Sequence, residues 1–116
     1  MPDAWEGVPI GKFLEALEAE LESTVKCGRP YKPLNNSNLY KPHSKKTHRL
    51  SDAYWAGIDP RRFDLPVSTK AVEEEAFSFL HKFLLTDRNG CDHIVGAMLK
   101  LWENKSQLVE FANRTE

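Results

Sequence analysis

Ile10-Gly11-Lys12-Phe13-Leu14-Glu15-Ala16-Leu17-Glu18-Ala19-Glu20-Leu21-Glu22-Ser23-Thr24-Val25 is the stretch on which the fold turns. Its apolar residues Ile10, Phe13, Leu14, Leu17, Leu21 and Val25 recur at the three-, four- and seven-residue steps of one helical face. The spacing predicts an amphipathic helix over 10–25, with Glu15, Glu18, Glu20 and Glu22 on its solvated side. Lys26 and Gly28 read as its stop. A cation suits the negative end of a helix, and glycine accepts the left-handed backbone found there.

Two further apolar stripes lie in the carboxyl-terminal half. Val72, Ala76, Phe79, Leu80 and Phe83 share one face, widened by Phe77 and Leu84, which predicts a central buried helix over 72–84 started by Ser68 or Thr69. Glu73, Glu74 and Glu75 fall in its early turns, where the helix dipole favours acids. Asn89-Gly90 then reads as a tight turn and Asp92 as the cap of a third helix carrying Ile94, Val95, Met98, Leu101 and Trp102. The two would form an antiparallel pair. Whether Asn104-Lys105-Ser106 interrupts the last helix is left open, because Val109 and Ala112 continue its stripe. The region 68–115 resembles the helical hairpins of armadillo-type repeats, with Asn104-Lys105-Ser106-Gln107-Leu108-Val109-Glu110 the nearest echo. One such stretch implies no functional residues.

Between the stripes, Ser51 is an N-cap for a short helix over Asp52-Ala53-Tyr54-Trp55-Ala56 ended by Gly57, and Asp59-Pro60-Arg61-Arg62-Phe63 starts a second short turn closed by Leu65-Pro66. Residues 29–50 show neither helical nor strand periodicity and hold Pro30, Pro33 and Pro42. No strand-like alternation stands out anywhere in the sequence. The expected architecture is therefore all-α: a small bundle of three main helices with short connecting helices and one long irregular loop, all in a single domain over 1–116.

Composition narrows function mostly by exclusion. With 16 Lys plus Arg against 17 Asp plus Glu in 116 residues, the chain carries almost no net charge, so it is not a polycation as a whole. No apolar run approaches the roughly 20 residues that cross a bilayer. The amino terminus lacks a basic and apolar leader, and Cys27 and Cys91 stand far apart without paired spacing, which predicts a cytoplasmic, intracellular chain with free thiols. Asn35, Asn104 and Asn113 each begin an Asn-x-Ser/Thr sequon, a mild excess over chance that would fit a secreted domain instead, and whether they are used is not legible in the sequence. No nucleophile elbow, phosphate-binding glycine loop or zinc-like Cys/His spacing is present. These observations lead to the expectation of a non-catalytic docking or adaptor module that binds a protein partner, with no cofactor and no metal.

Tyr54, Trp55, Arg61, Arg62 and Phe63 are the candidate partner-binding residues, because aromatic and arginine side chains concentrate binding energy when partly exposed. The alternative is nucleic-acid or anion binding through Lys41, Lys45, Lys46, His48 and Arg49, where basic residues flanked by Tyr40 and Tyr54-Trp55 could neutralise phosphates and stack bases. A small enzyme or metal-binding domain without a recognisable motif is the remaining alternative. The oligomeric state is not legible.

Overall fold

The computed structural model describes residues 3–37 and 51–114. It is mostly helical, 65% helix and 4% strand, as the all-α expectation requires. In chain order the elements are α1 (Ile10–Glu20), β1 (Cys27–Gly28), α2 (Asp52–Gly57), α3 (Pro66–Lys70), β2 (Ser78–Phe79), α4 (Arg88–Glu103) and α5 (Lys105–Asn113). Tight 3-10 turns fill in at Asp3–Trp5, Leu34–Asn36, Pro60–Arg62 and His81–Leu84, and α3 runs on into a wider turn over Ala71–Glu75. No helix among the described residues is long and apolar enough to cross a membrane.

The stripe of α1 is the centre of the core. Ile10, Phe13, Leu14 and Leu17 are buried along it, joined by Val8, Leu21 and Val25 at its two ends. Against them pack Ile94, Ala97 and Leu101 of α4 and Leu108 of α5. Trp5 meets Phe13 edge-on at 4.7 Å between ring centres and Trp102 at 5.1 Å, so the amino-terminal turn closes the end of this three-helix contact.

Helix α1 stops sooner than its apolar pattern. The helix ends at Glu20 because Glu22 and Ser23 turn left-handed, at φ 50° and 57°. Their N–H groups bond back to the carbonyls of Ala19 and Glu18, at 3.0 and 2.7 Å, satisfying two acceptors that every helix end leaves over. Gly28, expected to be the stop, lies in β1 instead. Leu21 and Val25 stay buried throughout this turn, so the stripe outlives the helix.

The predicted helix over 72–84 does not form. Ala76 is extended (φ −118°, ψ 145°), and Ser78–Phe79 pairs antiparallel with Cys27–Gly28, in the register Cys27 with Phe79 and Gly28 with Ser78. The reason lies in Phe77 and Phe79. Two residues apart on extended backbone, they point the same way, with ring centres 6.3 Å from each other and Phe77 5.8 Å from Phe13. Aromatics fit this pleated, half-buried setting well. Leu80, Leu84 and Leu85 consequently face solvent, so the segment is not the buried centre its composition promised. This correction also removes the predicted antiparallel helix pair and its likeness to repeat hairpins, and it places strand where none was expected.

Helix α4 begins earlier than predicted. Asp87, not Asp92, is its cap, accepting the Gly90 N–H at 2.9 Å, so Asn89 and Gly90 sit inside the first turn. Asn104 then separates α4 from α5; its Nδ2 donates to the Lys100 carbonyl at 2.8 Å. The molecule extends over 56 × 33 × 21 Å with a radius of gyration of 19.4 Å, against about 13 Å for a compact domain of this length.

Candidate functional site

Three regions gather chemistry-bearing side chains, and each traces to a local feature of the chain. The first is a cleft of about 390 Å³ between α1, the end of α4 and α5. Ala16, Ala19, Leu101, Leu108 and Phe111 form its apolar lining, and Glu20, Lys100, Asn104 and Gln107 stand among them. Small residues at 16 and 19 leave the space. Lys100 Nζ donates to Glu20 Oε2 at 2.6 Å, bridging α4 to α1, and Lys12 Nζ lies 5.5 Å from the Phe111 ring centre.

The second is a polar recess of about 450 Å³ between the chain leaving β1 and the wide turn after α3. Arg29, Lys32 and Asn36 face Glu73 across it, with Pro30, Pro33 and Val72 as the stiff and apolar lining. Two prolines fix φ along this strip of backbone. Next to Asn36 in the chain, Asn35 Nδ2 donates to the Phe63 carbonyl at 2.9 Å, while its buried Oδ1 meets no partner among the described residues.

The third is the surface named in the sequence. Ser51 caps α2 as predicted, its Oγ accepting the Tyr54 N–H at 3.2 Å. Tyr54 and Trp55 meet edge-on at 6.0 Å, with Tyr54 and Phe63 exposed and Trp55 half-buried. Arg62 is turned inward on its own segment, donating to the carbonyls of Ala56 and Gly57 at 3.0 and 3.1 Å, and thus serves as a C-terminal clamp on α2. The structure thus brings Tyr54 and Trp55 together. The side chain of Arg61, and with it Lys41, Lys45, Lys46, His48 and Arg49, lies outside the described residues.

One electrostatic cluster was not foreseen. The turn after α1 carries the chain back so that Glu18 Oε2 accepts from Lys26 Nζ at 3.0 Å and Oε1 from the Cys27 N–H at 2.7 Å. The Lys26 bond first, and the Cys27 N–H second, hold the Glu18 carboxyl below its ordinary range, against a smaller opposing effect of burial. Burial pushes the Cys27 thiol up, helped by the Glu18 carboxylate and opposed by Lys26. Cys27 and Cys91 are both free thiols. No set of three or more His, Cys, Asp or Glu among the described residues is placed to hold a metal ion. The signal for the Glu18 cluster was present in sequence as spacing across a chain reversal, which is legible only once the reversal is known.

No protein-family model matches the chain. It is similar, however, to several aminotransferases. It is 35% identical over 96 residues to the L-glutamine:scyllo-inosose aminotransferase of Streptomyces griseus, covering 83% of this chain and 22% of that protein. It is 37% identical over 109 residues to the L-glutamine:2-deoxy-scyllo-inosose aminotransferase of Streptomyces kanamyceticus (93% and 25%). It is 34% identical over 106 residues to the enzyme so named in Streptoalloteichus tenebrarius (91% and 24%). The chain spans about a quarter of the length of these relatives. Their likeness over most of the chain overturns the expectation of a non-catalytic adaptor and points to an enzyme. The expectation failed because it took missing catalytic motifs in 116 residues as evidence of docking.

Proposed function

We propose that this chain forms one portion of an aminotransferase that carries the amino group of L-glutamine to a ketone on a hydroxylated ring of the scyllo-inosose class. The observation that carries the reading is sequence identity of 34 to 37% over nine-tenths of the chain with enzymes named for that transfer. In such a reaction the donor C–NH2 becomes C=O as the acceptor C=O becomes C–NH2, so no outside oxidant or reductant is needed.

Amino transfer of this type uses pyridoxal phosphate, which supplies an electron sink and is held by a lysine and by a charged group at its ring nitrogen. The described residues do not fit that group. No charged or polar side chain among them is buried. Lys12, Lys26, Lys70 and Lys100 are each engaged with a carboxylate, at 3.2, 3.0, 3.1 and 2.6 Å. A lysine activated by desolvation needs the opposite setting. The described part of the chain is accordingly assigned structure and substrate contact, not the cofactor. Of its two larger hollows, the recess of Arg29, Lys32, Asn36 and Glu73 suits a ring bearing hydroxyls, because it offers both donors and acceptors, whereas the α1/α5 cleft is mainly apolar.

The test is a chimera in which the matching quarter of the Streptomyces griseus enzyme is replaced by this chain. Transfer of nitrogen-15 from labelled L-glutamine to scyllo-inosose, read by mass spectrometry, is the expected result. Glu73→Gln and Arg29→Ala should then raise KM for the ring ketone more than they lower kcat. A folded chimera that transfers nothing would reject the proposal.

A further inference from the structure

Two cations of the polar recess stand apart from all the other described ones. Arg29 and Lys32 both line it, and neither makes an ion pair, hydrogen bond or ring contact among the described residues. Every other described lysine or arginine side chain is met by a carboxylate, a backbone carbonyl or an aromatic ring of its own chain. Glu73, on the opposite wall, pairs with neither of the two.

The backbone sets the two charges side by side. Arg29 precedes Pro30 and Lys32 precedes Pro33, and a residue before proline is confined to extended conformations. Pro33 itself has φ −51° and ψ 139°, close to the extended helix of three residues per turn, in which positions three apart share a side. Arg29 and Lys32 accordingly line one hollow, and Tyr31 between them does not. Charges held on so stiff a strip lose little freedom when they bind. Helix α1 offers Arg29 no relief: its Nη2 lies 3.8 Å from where a Cβ on Gly11 would stand, in a first turn that has no acid and carries the positive end of the helix dipole.

We propose that the ring taken by this recess carries an oxyanion, a phosphate ester or a carboxylate, gripped by Arg29 and Lys32. The proposal rests on the reading of the recess as the site of the ring ketone and narrows that substrate to an acidic one. The guanidinium of Arg29 suits an oxyanion through two parallel N–H bonds, Lys32 adds a point charge, and the Asn36 amide donates beside them. Ring hydroxyls donate to Glu73, whose negative charge disfavours a small anion without hydroxyls. The volume of about 450 Å³ lies within the roughly 300–1,000 Å³ of small-molecule sites.

The experiment titrates the nitrogen-15-labelled 116-residue chain, followed by NMR, with myo-inositol 1-phosphate, glucuronate, myo-inositol, inorganic phosphate and L-glutamine. At least one of the two acidic rings should bind at least about tenfold more tightly than myo-inositol and than inorganic phosphate, with shifts centred on 29–36 and 72–73. Preference for myo-inositol 1-phosphate names the phosphate ester, and preference for glucuronate names the carboxylate. Arg29→Ala combined with Lys32→Ala should abolish the preference, while Lys82→Ala, which removes an exposed cation outside the recess, should leave it intact. Arg29 and Lys32 are exposed, so their removal spares the core. Equal binding of acidic and neutral rings, or an equal loss in Lys82→Ala, overturns the proposal. Inorganic phosphate bound as tightly as the ring phosphate marks an adventitious ion only and overturns it too. L-Glutamine bound more tightly than either acidic ring assigns the recess to the amino donor, with the same consequence. The chimera separates this proposal from the activity it rests on. An active chimera that neither acidic ring inhibits overturns the acidic substrate and leaves the amino transfer standing, whereas an acidic ring held by Arg29 and Lys32 in a chimera that transfers no nitrogen does the reverse.

Discussion

Replacing Leu17 by alanine removes three carbons from the middle of α1, at a site with 0% of its surface exposed. At about 0.8 kcal/mol per buried methylene the transfer cost alone is about 2.4 kcal/mol, and the cavity left behind adds to it. Leu17 shares its buried cluster with Leu101 of α4 and Leu108 of α5, so collapse into the space would have to shift those helices as well. About 3 kcal/mol is therefore expected. That is a large part of the roughly 5–15 kcal/mol that holds a domain folded, and corresponds to a fall in melting temperature of roughly 10–20 °C. Urea unfolding followed by helical circular dichroism measures it, with Leu99→Ala on the outer face of α4 as comparison, for which less than about 0.5 kcal/mol is expected in the isolated chain. A loss at Leu17 below about 1 kcal/mol, or equal losses at the two sites, would refute the placement of the core.

Asp87→Ala should cost about 1 kcal/mol by orphaning the Gly90 N–H, and Asp87→Asn should keep most of it, with amide exchange at 88–90 as the readout. A Cβ at Gly90 would lie 2.5 Å from Thr86 Oγ1 and Cγ2 and 3.0 Å from its Cβ. Gly90→Ala should thus lower stability by about 1 kcal/mol or more despite alanine's better helix propensity, and Thr86→Ala should recover most of the loss in a double-mutant cycle. Glu18 has its folded pKa depressed, so its contribution is present above the ordinary carboxylate range and is lost as pH falls through the depressed value. Melting curves of Glu18→Gln and the parent chain should differ at neutral pH and converge in acid; a gap that widens on acidification would contradict the cluster. The raised thiol pKa predicts that Cys27 is alkylated more slowly than a free cysteine at neutral pH, and faster in Glu18→Gln.

The all-α character and the α1 core could be read from the sequence because Ile10, Phe13, Leu14 and Leu17 fit one period and no other. The segment 76–80 could not, since Ala76, Phe79, Leu80 and Phe83 satisfy a 3.6-residue period while Phe77 and Phe79 satisfy a period of two. Pairing with Cys27–Gly28, about 50 positions away, decides between them, and that partner has no periodic signal of its own. Asp87 and Asp92 present the same ambiguity for the start of α4; the bulk of Thr86 against Gly90 is visible only in three dimensions. The polar recess escaped notice because Arg29, Lys32 and Asn36 meet Glu73 only after the chain reverses. Tyr54 and Trp55 were rightly placed on a capped short helix, but the side chain of Arg62 folds back onto its own backbone.

The left-handed residues that end α1 are a glutamate and a serine, where glycine would sit without steric cost. Glu22 is exposed and lines neither hollow. The protein therefore carries a dispensable burden at this bend, and Glu22→Gly should make it hardier by about 1 kcal/mol. An engineer could draw on that margin to offset the harm of substitutions made elsewhere to alter substrate choice.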